Sequence, residues 1–312
     1  MQLTSQKSFS IIGNRKTKTR VEKAAQIIFF ICAFFAIIAV FAISIYMLIK
    51  GVPALAKVGV AEILFGTEWS PAASEPSFGI LYIILTSVVG TVAAILLGVP
   101  VGVFTAIFLS QVAHKKIAMM VKPAVELLAG IPSVIYGLLG LMVLNPLIYK
   151  LELWIFKDSA THQFTGGSNL LCAVIVLAVM ILPTVINISD SALRSVDPSL
   201  KAASLALGAS RIQTIFRVVL PAAKSGIITA VVLGVGRAIG EAMAITLVSG
   251  SSVNLPLPFN SVRFLTTAIV SEMSYSADVH REVLFTVGLV LFAFIMGINL
   301  LLSKLLKGGD DK

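Results

Sequence analysis

The chain is 312 residues long, 57% hydrophobic and only 12% charged, with a net charge of +9 and a mean hydropathy of +0.99. Soluble domains carry about 25% charged residues, so this composition excludes a pair of soluble domains and indicates a polytopic membrane protein. The basic excess follows membrane topology, because it concentrates in alternate loops, and it calls for no nucleic-acid partner.

Residues 1–23 form a basic tail containing Arg15, Lys16, Lys18, Arg20 and Lys23. Ala24–Ile49 then runs almost without a polar side chain. A signal peptide has an apolar core of about 7–15 residues, so this longer run is expected to be an uncleaved first span, residues 24–49. An outer loop, 50–77, follows. Further apolar runs at Phe78–Ser110, Pro123–Tyr149, Leu170–Ser189, Gly226–Val248 and Val283–Leu306 place five spans within 78–306, before a short tail, 307–312. The fold class is all-α integral membrane with six transmembrane helices. The second run is longer than a hydrocarbon core of about 30 Å requires, and Pro100 is the expected place for it to bend. Pro132 breaks the third run and frees a backbone carbonyl near Leu128 or Ala129, for which Ser133 is a candidate donor. Glu126 is placed to pair with Lys122 or with the loop, and Asp190 to sit at the interface.

Six spans put both termini on one side. Of the 24 lysines and arginines, Lys50, Lys57, Lys150, Lys157, Arg263 and Arg281 face the opposite side, and all others except the intramembrane Arg237 share the side of the termini. Both termini are therefore expected to be cytoplasmic. The outer loops carry Glu62, Glu68, Glu75, Glu152, Asp158, Glu272, Asp278 and Glu282, read as ordinary solvated carboxylates. Cys32 and Cys172 lie in different apolar runs and read as buried, inert thiols. His114, His162 and His280 are scattered and build no site.

The segment between the fourth and fifth spans has legible helix punctuation. Asp197 is a helix N-cap with Pro198 at the first helical position. Gly208 suits the position just past a helix end, and Ser210 caps a second helix that Pro221 ends or bends. The first helix is too short to be stable alone, and its stripe of Leu200, Ala203 and Leu207 must pack on its own bundle, the membrane surface or a cytoplasmic partner.

In the following span, Arg237 and Glu241 lie at i and i+4 on one helix face. A charge at the bilayer centre costs about 2.5–3.5 kcal/mol on insertion scales. Two readings stand: a mutually neutralised structural staple, or an anion-handling pair in which the guanidinium fork meets the anion's oxygens and Glu241 weakens its grip. Gly236 and Gly240 form a small-xxx-small spacing suited to close packing against another membrane subunit. After the fifth span, Phe264–Met273 has the spacing of a short amphipathic helix lying in the interface.

Ala202-Ala203, then Gly208, Phe216 and Leu220-Pro221, resemble the EAA loop of ABC-importer membrane subunits; Lys201 departs from it, standing where a glutamate is usual. Gly234–Ile245, Glu126–Gly137 and, more loosely, Phe65–Pro71 resemble segments of the permease subunits of phosphate-specific ABC importers. The similarity covers roughly residues 60–306. The resemblance implies a type I ABC importer permease fold whose loop residues Lys201, Ala202, Ala203, Gly208, Phe216, Leu220 and Pro221 dock on an ATPase subunit. It implies a second permease subunit, two ATPase subunits and an extracytoplasmic phosphate-binding protein as partners. No G-x-x-x-x-G-K-[ST] occurs, so this chain is not the ATPase; it is not expected to be an enzyme or to bind a cofactor, with ATP and magnesium on the partner. A permease for another oxyanion or a phosphonate, a secondary transporter or channel, and a structural or signalling subunit remain as alternatives.

Overall fold

The computed structural model describes residues 15–159 and 161–307. Of the expected tails, 1–23 and 307–312, residues 1–14 and 308–312 lie outside the described residues. Contacts divide the chain between Ile49 and Lys50 into two units.

Helix α1, Arg15–Lys57, begins before and ends beyond the expected 24–49. Its apolar side chains within the first unit, Ile27 to Ile49, are exposed, among them Phe29, Phe30 and Phe35. Phe30 stacks on Phe34, and Ser44 donates back to the Val40 carbonyl at 2.9 Å. A helix apolar on every face satisfies its backbone internally and suits lipid as solvent. Cys32 is exposed on this surface, which corrects the expectation of a buried thiol; Cys172 is buried.

The second unit starts with roughly the last two turns of α1 and continues through α2, Val60–Phe65, and a small antiparallel hairpin of β1, Trp69–Ser70, and β2, Ser77–Phe78. Helix α3, Leu81–Ile107, runs through Pro100 without a break, and its irregularity falls later, in a π turn at Phe108–Val112. Next come α4, Lys115–Gly130; α5, Ser133–Leu139; a π turn at Gly140–Leu144; and α6, Asn145–Ile155. Helix α7 covers Leu170–Arg194 and α8 covers Pro198–Ala206. Then α9, Arg211–Thr214, a π turn at Ile215–Val219 and α10, Leu220–Ala222, lead to α11, Lys224–Gly240, and α12, Met243–Val248. Helices α13, Leu265–Glu272, and α14, Asp278–Lys307, complete the order.

Among the described residues, five helices are long and apolar enough to cross a membrane, and a sixth if 211–222 and 224–240, bent by 69°, form one span. The expected third span at 123–149 is displaced: the chain breaks at Ile131-Pro132, the apolar crossing segment is Ser133–Ile155, and α4 is a separate helix carrying Lys115, Lys116, Lys122 and Glu126. The expected fifth span at 226–248 is divided too, because Glu241 and Ala242 leave helical geometry between α11 and α12.

The centre is built by α3 against α7. Gly90, Ala94, Gly98, Gly102 and Ala106 recur every fourth residue and form one smooth ridge on α3. A Cβ on Gly98 would sit 2.7 Å from Ile181, and one on Gly102 2.8 Å from Val185, both on α7. Such small residues let helices approach closely where no hydrophobic drive separates protein from lipid. Leu170, Cys172, Leu177 and Ile181 of α7 extend the core to Ile245 and Val248 of α12. Helix α13 is buried within protein rather than lying in the interface: Leu265 and Ala268 pack with Ala54, Ile63, Ile83 and Val287.

Candidate functional site

The loop between α7 and α11 folds as its caps require. Asp197 Oδ1 accepts from the Ser199 amide at 2.8 Å, and this bond, followed by the Ser199 side chain, holds the Asp197 carboxyl below the usual carboxylate range. At the other end Gly208 has φ +84°, while its amide reaches the Leu205 carbonyl at 3.0 Å and the Ala209 amide reaches that of Ser204 at 3.2 Å. Those two bonds and the left-handed glycine define a Schellman stop. Ser210 and Gln213 then form a reciprocal capping box on α9. Ser204 and Thr214 hydroxyls meet at 2.9 Å, tying α8 to α9.

No residue of α8 is buried. Ala202 and Ala203 are exposed, Leu200 and Leu205 are 46% exposed, and Leu207 is 90% exposed. Phe216 is exposed, as is Pro221, whereas Leu220 packs on a cluster of Ala106, Ile107, Leu193 and Val219. The loop is therefore anchored at its far end and uncovered at α8. Lys201 turns inward and donates to Gln111 Oε1 at 2.8 Å.

Arg237 and Glu241 are not an ion pair. Helix α11 ends at Gly240, and Glu241 is extended at φ −74°, ψ 130°, so the i, i+4 relation expected from a continuous helix is lost. Glu241 Oε1 instead accepts from the Ala244 amide at 2.9 Å, at the start of α12, and the Glu241 carbonyl accepts from Thr266 at 2.7 Å. Arg237 is half-buried and has no hydrogen-bond or ion-pair partner among the described residues; it lies within electrostatic reach of Tyr136. Its depth follows from Gly234, three residues earlier, where a Cβ would meet Val185 at 3.0 Å. Val185 also faces Gly102 of α3, so Arg237 sits within about one turn, ~5.4 Å, of the α3–α7 contact. Exposed Ser225, Thr229, Leu233, Gly236 and Gly240 share one stripe of α11 beside it, and a methyl at Gly236 or Gly240 would meet nothing within 4 Å. An open face flanking an unpaired guanidinium is suited to a partner helix or a water-filled passage, not to lipid.

Across from it, the break at Pro132 is resolved by Tyr136 rather than Ser133. Pro132 has no N–H for the Leu128 carbonyl, and Tyr136 Oη donates there at 2.7 Å, with the Ile131 amide at 3.2 Å. Helix α5 then packs tightly on α12, a Cβ at Gly137 falling 2.8 Å from Ala244 Cα.

Three buried carboxylates escaped the sequence reading. Asp190, 6% exposed, takes Lys122 and Arg194, the latter at 3.0 Å, so Lys122 serves Asp190 instead of Glu126. Glu272 gathers Arg263, Trp69 Nε1 at 3.1 Å and His280 Nε2 at 2.8 Å. Glu152, fully buried, meets His162 Nε2 at 2.9 Å and the Thr165 amide at 3.0 Å. Two of the expected loop carboxylates are thus structural, and two histidines expected to be idle orient them. Arg194 is a local i, i+4 partner of Asp190, but Lys122 and Trp69 lie 68 and 203 residues from the carboxylates they meet, so no local pattern announces the full clusters. Among the described residues no three His, Cys, Asp or Glu side chains are grouped to hold a metal ion.

The family model described as binding-protein-dependent transport system inner membrane component matches residues 98–307. The chain is 40% identical to the Bacillus subtilis "Probable ABC transporter permease protein YqgH", over 94% of this chain and 95% of the relative. It is 34% identical to the Xylella fastidiosa "Phosphate transport system permease protein PstC", over 83% and 82%. A chain of the bacterial alginate ABC transporter, solved in complex with alginate pentasaccharide-bound periplasmic protein, superimposes with a TM-score of 0.62 at 17% identity, covering 90% of this chain and 94% of that one.

Proposed function

The chain belongs to the binding-protein-dependent transport system inner membrane component family, and from that premise we propose that it is the permease subunit of an ATP-driven importer moving inorganic phosphate across the cell membrane. It is a multi-pass membrane protein with the type I ABC importer permease fold. The choice of phosphate draws on the relatives named PstC. The observation that carries the importer reading is α8, a well-capped helix of nine residues with no buried side chain. A helix this short needs a covering surface to persist, and Leu207 at 90% exposure is the side chain such a surface would take up.

In this reading both termini and α8 face the cytoplasm. Two PstB-like ATPase subunits cover α8 and hold ATP and magnesium, so this chain itself hydrolyses nothing. A second, PstA-like permease covers the open stripe of α11, and a PstS-like phosphate-binding protein docks on the outer loops. ATP-driven closure of the ATPases displaces α8. The motion passes through α9 and α10, across the 69° bend, into α11, which carries Arg237. Opening outward admits the anion to the guanidinium, whose planar donors match its oxygens; hydrolysis reverses the movement. Glu241 does not moderate Arg237 in this scheme. It caps α12 and fixes the turn at which α11 stops.

A second substrate reading, another oxyanion or a phosphonate, is favoured by one observation: Arg237 is half-buried with no hydrogen-bond or ion-pair partner among the described residues to tune it toward one anion. Reconstitution with the partners and uptake of labelled phosphate under competition decides between them. Phosphate uptake that excess sulfate or phosphonate leaves unchanged is expected; preferential transport of either competitor would overturn the substrate assignment.

A further inference from the structure

The cytoplasmic end of the bundle contains a chain of hydrogen bonds that the covalent path from α8 to α11 does not use. Lys201 Nζ on α8 donates to Gln111 Oε1 at 2.8 Å. Gln111 lies in the π turn that closes α3, and its Nε2 donates to the Leu193 carbonyl near the end of α7 at 3.4 Å. In that π turn the Ala113 amide bonds to the Phe108 carbonyl at 2.7 Å, five residues back rather than four. The Leu109 carbonyl thereby loses its helical partner, and Arg194 Nη2 of α7 fills it at 3.2 Å. Arg194 Nε also holds Asp190 at 3.0 Å, and Asp190 holds Lys122 of α4. Two sets of polar contacts, Lys201–Gln111–Leu193 and Leu109–Arg194–Asp190–Lys122, therefore join α8, α3, α7 and α4, meeting through the backbone of the π turn and of Leu193-Arg194.

We propose that Lys201 and Gln111 are positioning residues that latch α8 to the ends of α3 and α7, so that displacement of α8 moves these spans and α4 together with α11. The inference rests on the function proposed above. Three features carry it. The Lys201 ammonium is turned into the bundle, onto Gln111, rather than toward the uncovered face. The contact is charge-assisted and partly buried, the kind that holds geometry under load. It ends on a π turn, a local irregularity of the kind often found at functional sites, whose spare carbonyl is already engaged by α7. Without the latch, α8 is joined to the bundle through its own two chain ends, the Ser204–Thr214 contact and its packing on the π turn at Ile215–Val219, and α3 feels its motion only indirectly.

The test uses the assembled transporter in vesicles, scoring ATP hydrolysed per phosphate imported, with subunit stoichiometry measured on the same preparations. Lys201→Ala and Gln111→Ala should each raise that ratio about fivefold, the order that one net hydrogen bond carries, while all subunits remain assembled. The double variant should be no worse than either single one, because both remove the same contact. The exchanged pair, Lys201→Gln with Gln111→Lys, restores donor and acceptor and should return the ratio toward wild type. An unchanged ratio in both single variants, or additive effects without rescue by the exchange, overturns the latch alone. Wild-type vesicles that import nothing overturn the proposed function, and the latch with it.

Discussion

Replacing Leu207 with serine is the sharpest perturbation of the α8 surface. The side chain is 90% exposed and no residue of α8 is buried, so the substitution removes no contact within the chain and should change its own stability by less than about 0.5 kcal/mol. Fully burying a leucine is worth about 1.5–3 kcal/mol. If the ATPase covers Leu207, the loss falls on docking: about 2 kcal/mol, or roughly 30-fold in affinity. Leu200 and Leu205, each 46% exposed, have about half as much area left to bury and should lose correspondingly less. Titrating purified ATPase subunit onto permease in nanodiscs and following binding directly gives the three affinities. A Leu207 variant that binds as tightly as wild type, or a ranking in which Leu205 exceeds Leu207, would refute the assignment of this face. Thermal unfolding of the same variants separates docking from folding.

Arg237→Gln should lower phosphate uptake at least tenfold, given about 1.5–3 kcal/mol for hydrogen bonds to a charged group, with all subunits still co-purifying; loss of assembly would instead support the structural staple. Tyr136→Phe leaves the Leu128 carbonyl with only the Ile131 amide and should cost about 1 kcal/mol of stability, read as a lower unfolding midpoint in detergent; an unchanged midpoint would remove Tyr136 from its bridging role. The Asp197 carboxyl is held below its ordinary range, so the α8 cap is at full strength above the unfolded value of about 3.9 and is lost as pH falls through the folded value. Protection of the Ser199 amide, measured against Asp197→Asn as a cap that does not titrate, should decline only as pH falls below the unfolded value of about 3.9; protection that tracks the Asn variant throughout would contradict this.

The α8 loop was legible because its signals are local. Asp197, Gly208 and Ser210 act through bonds to residues two to five positions away, so their spacing alone determines the caps. Five of the six expected apolar crossing segments were legible for the same reason, and the sixth holds if 211–222 and 224–240 form one span. The division of 226–248 was not: its residues are apolar on both sides of the break, and what stops α11 is Glu241 turning to the Ala244 amide while Thr266, far along the chain, takes its carbonyl. A Glu four residues after an Arg reads as a helical pair until the backbone between them is known. The third span was misplaced because Pro132 marks a full break between an amphipathic helix and a span, where a kink within one span fits the same sequence. Glu152 and Glu272 read as solvated, and Asp190 as an interface residue, because Lys122, His162, Arg263 and Trp69 are brought to them by tertiary folding. The ridge of Gly90, Ala94, Gly98, Gly102 and Ala106 did carry a sequence signal, a four-residue period of small side chains, and it predicts the α3–α7 contact once that period is sought.

The most direct measurement is accumulation of labelled phosphate by vesicles containing this chain, its partner permease, the ATPase subunits and the binding protein, with ATP enclosed or omitted on the ATPase side. Accumulation above the external concentration only when ATP is present is the expected result. Equal phosphate movement with and without ATP would contradict an ATP-driven importer and leave α8 without the role assigned to it.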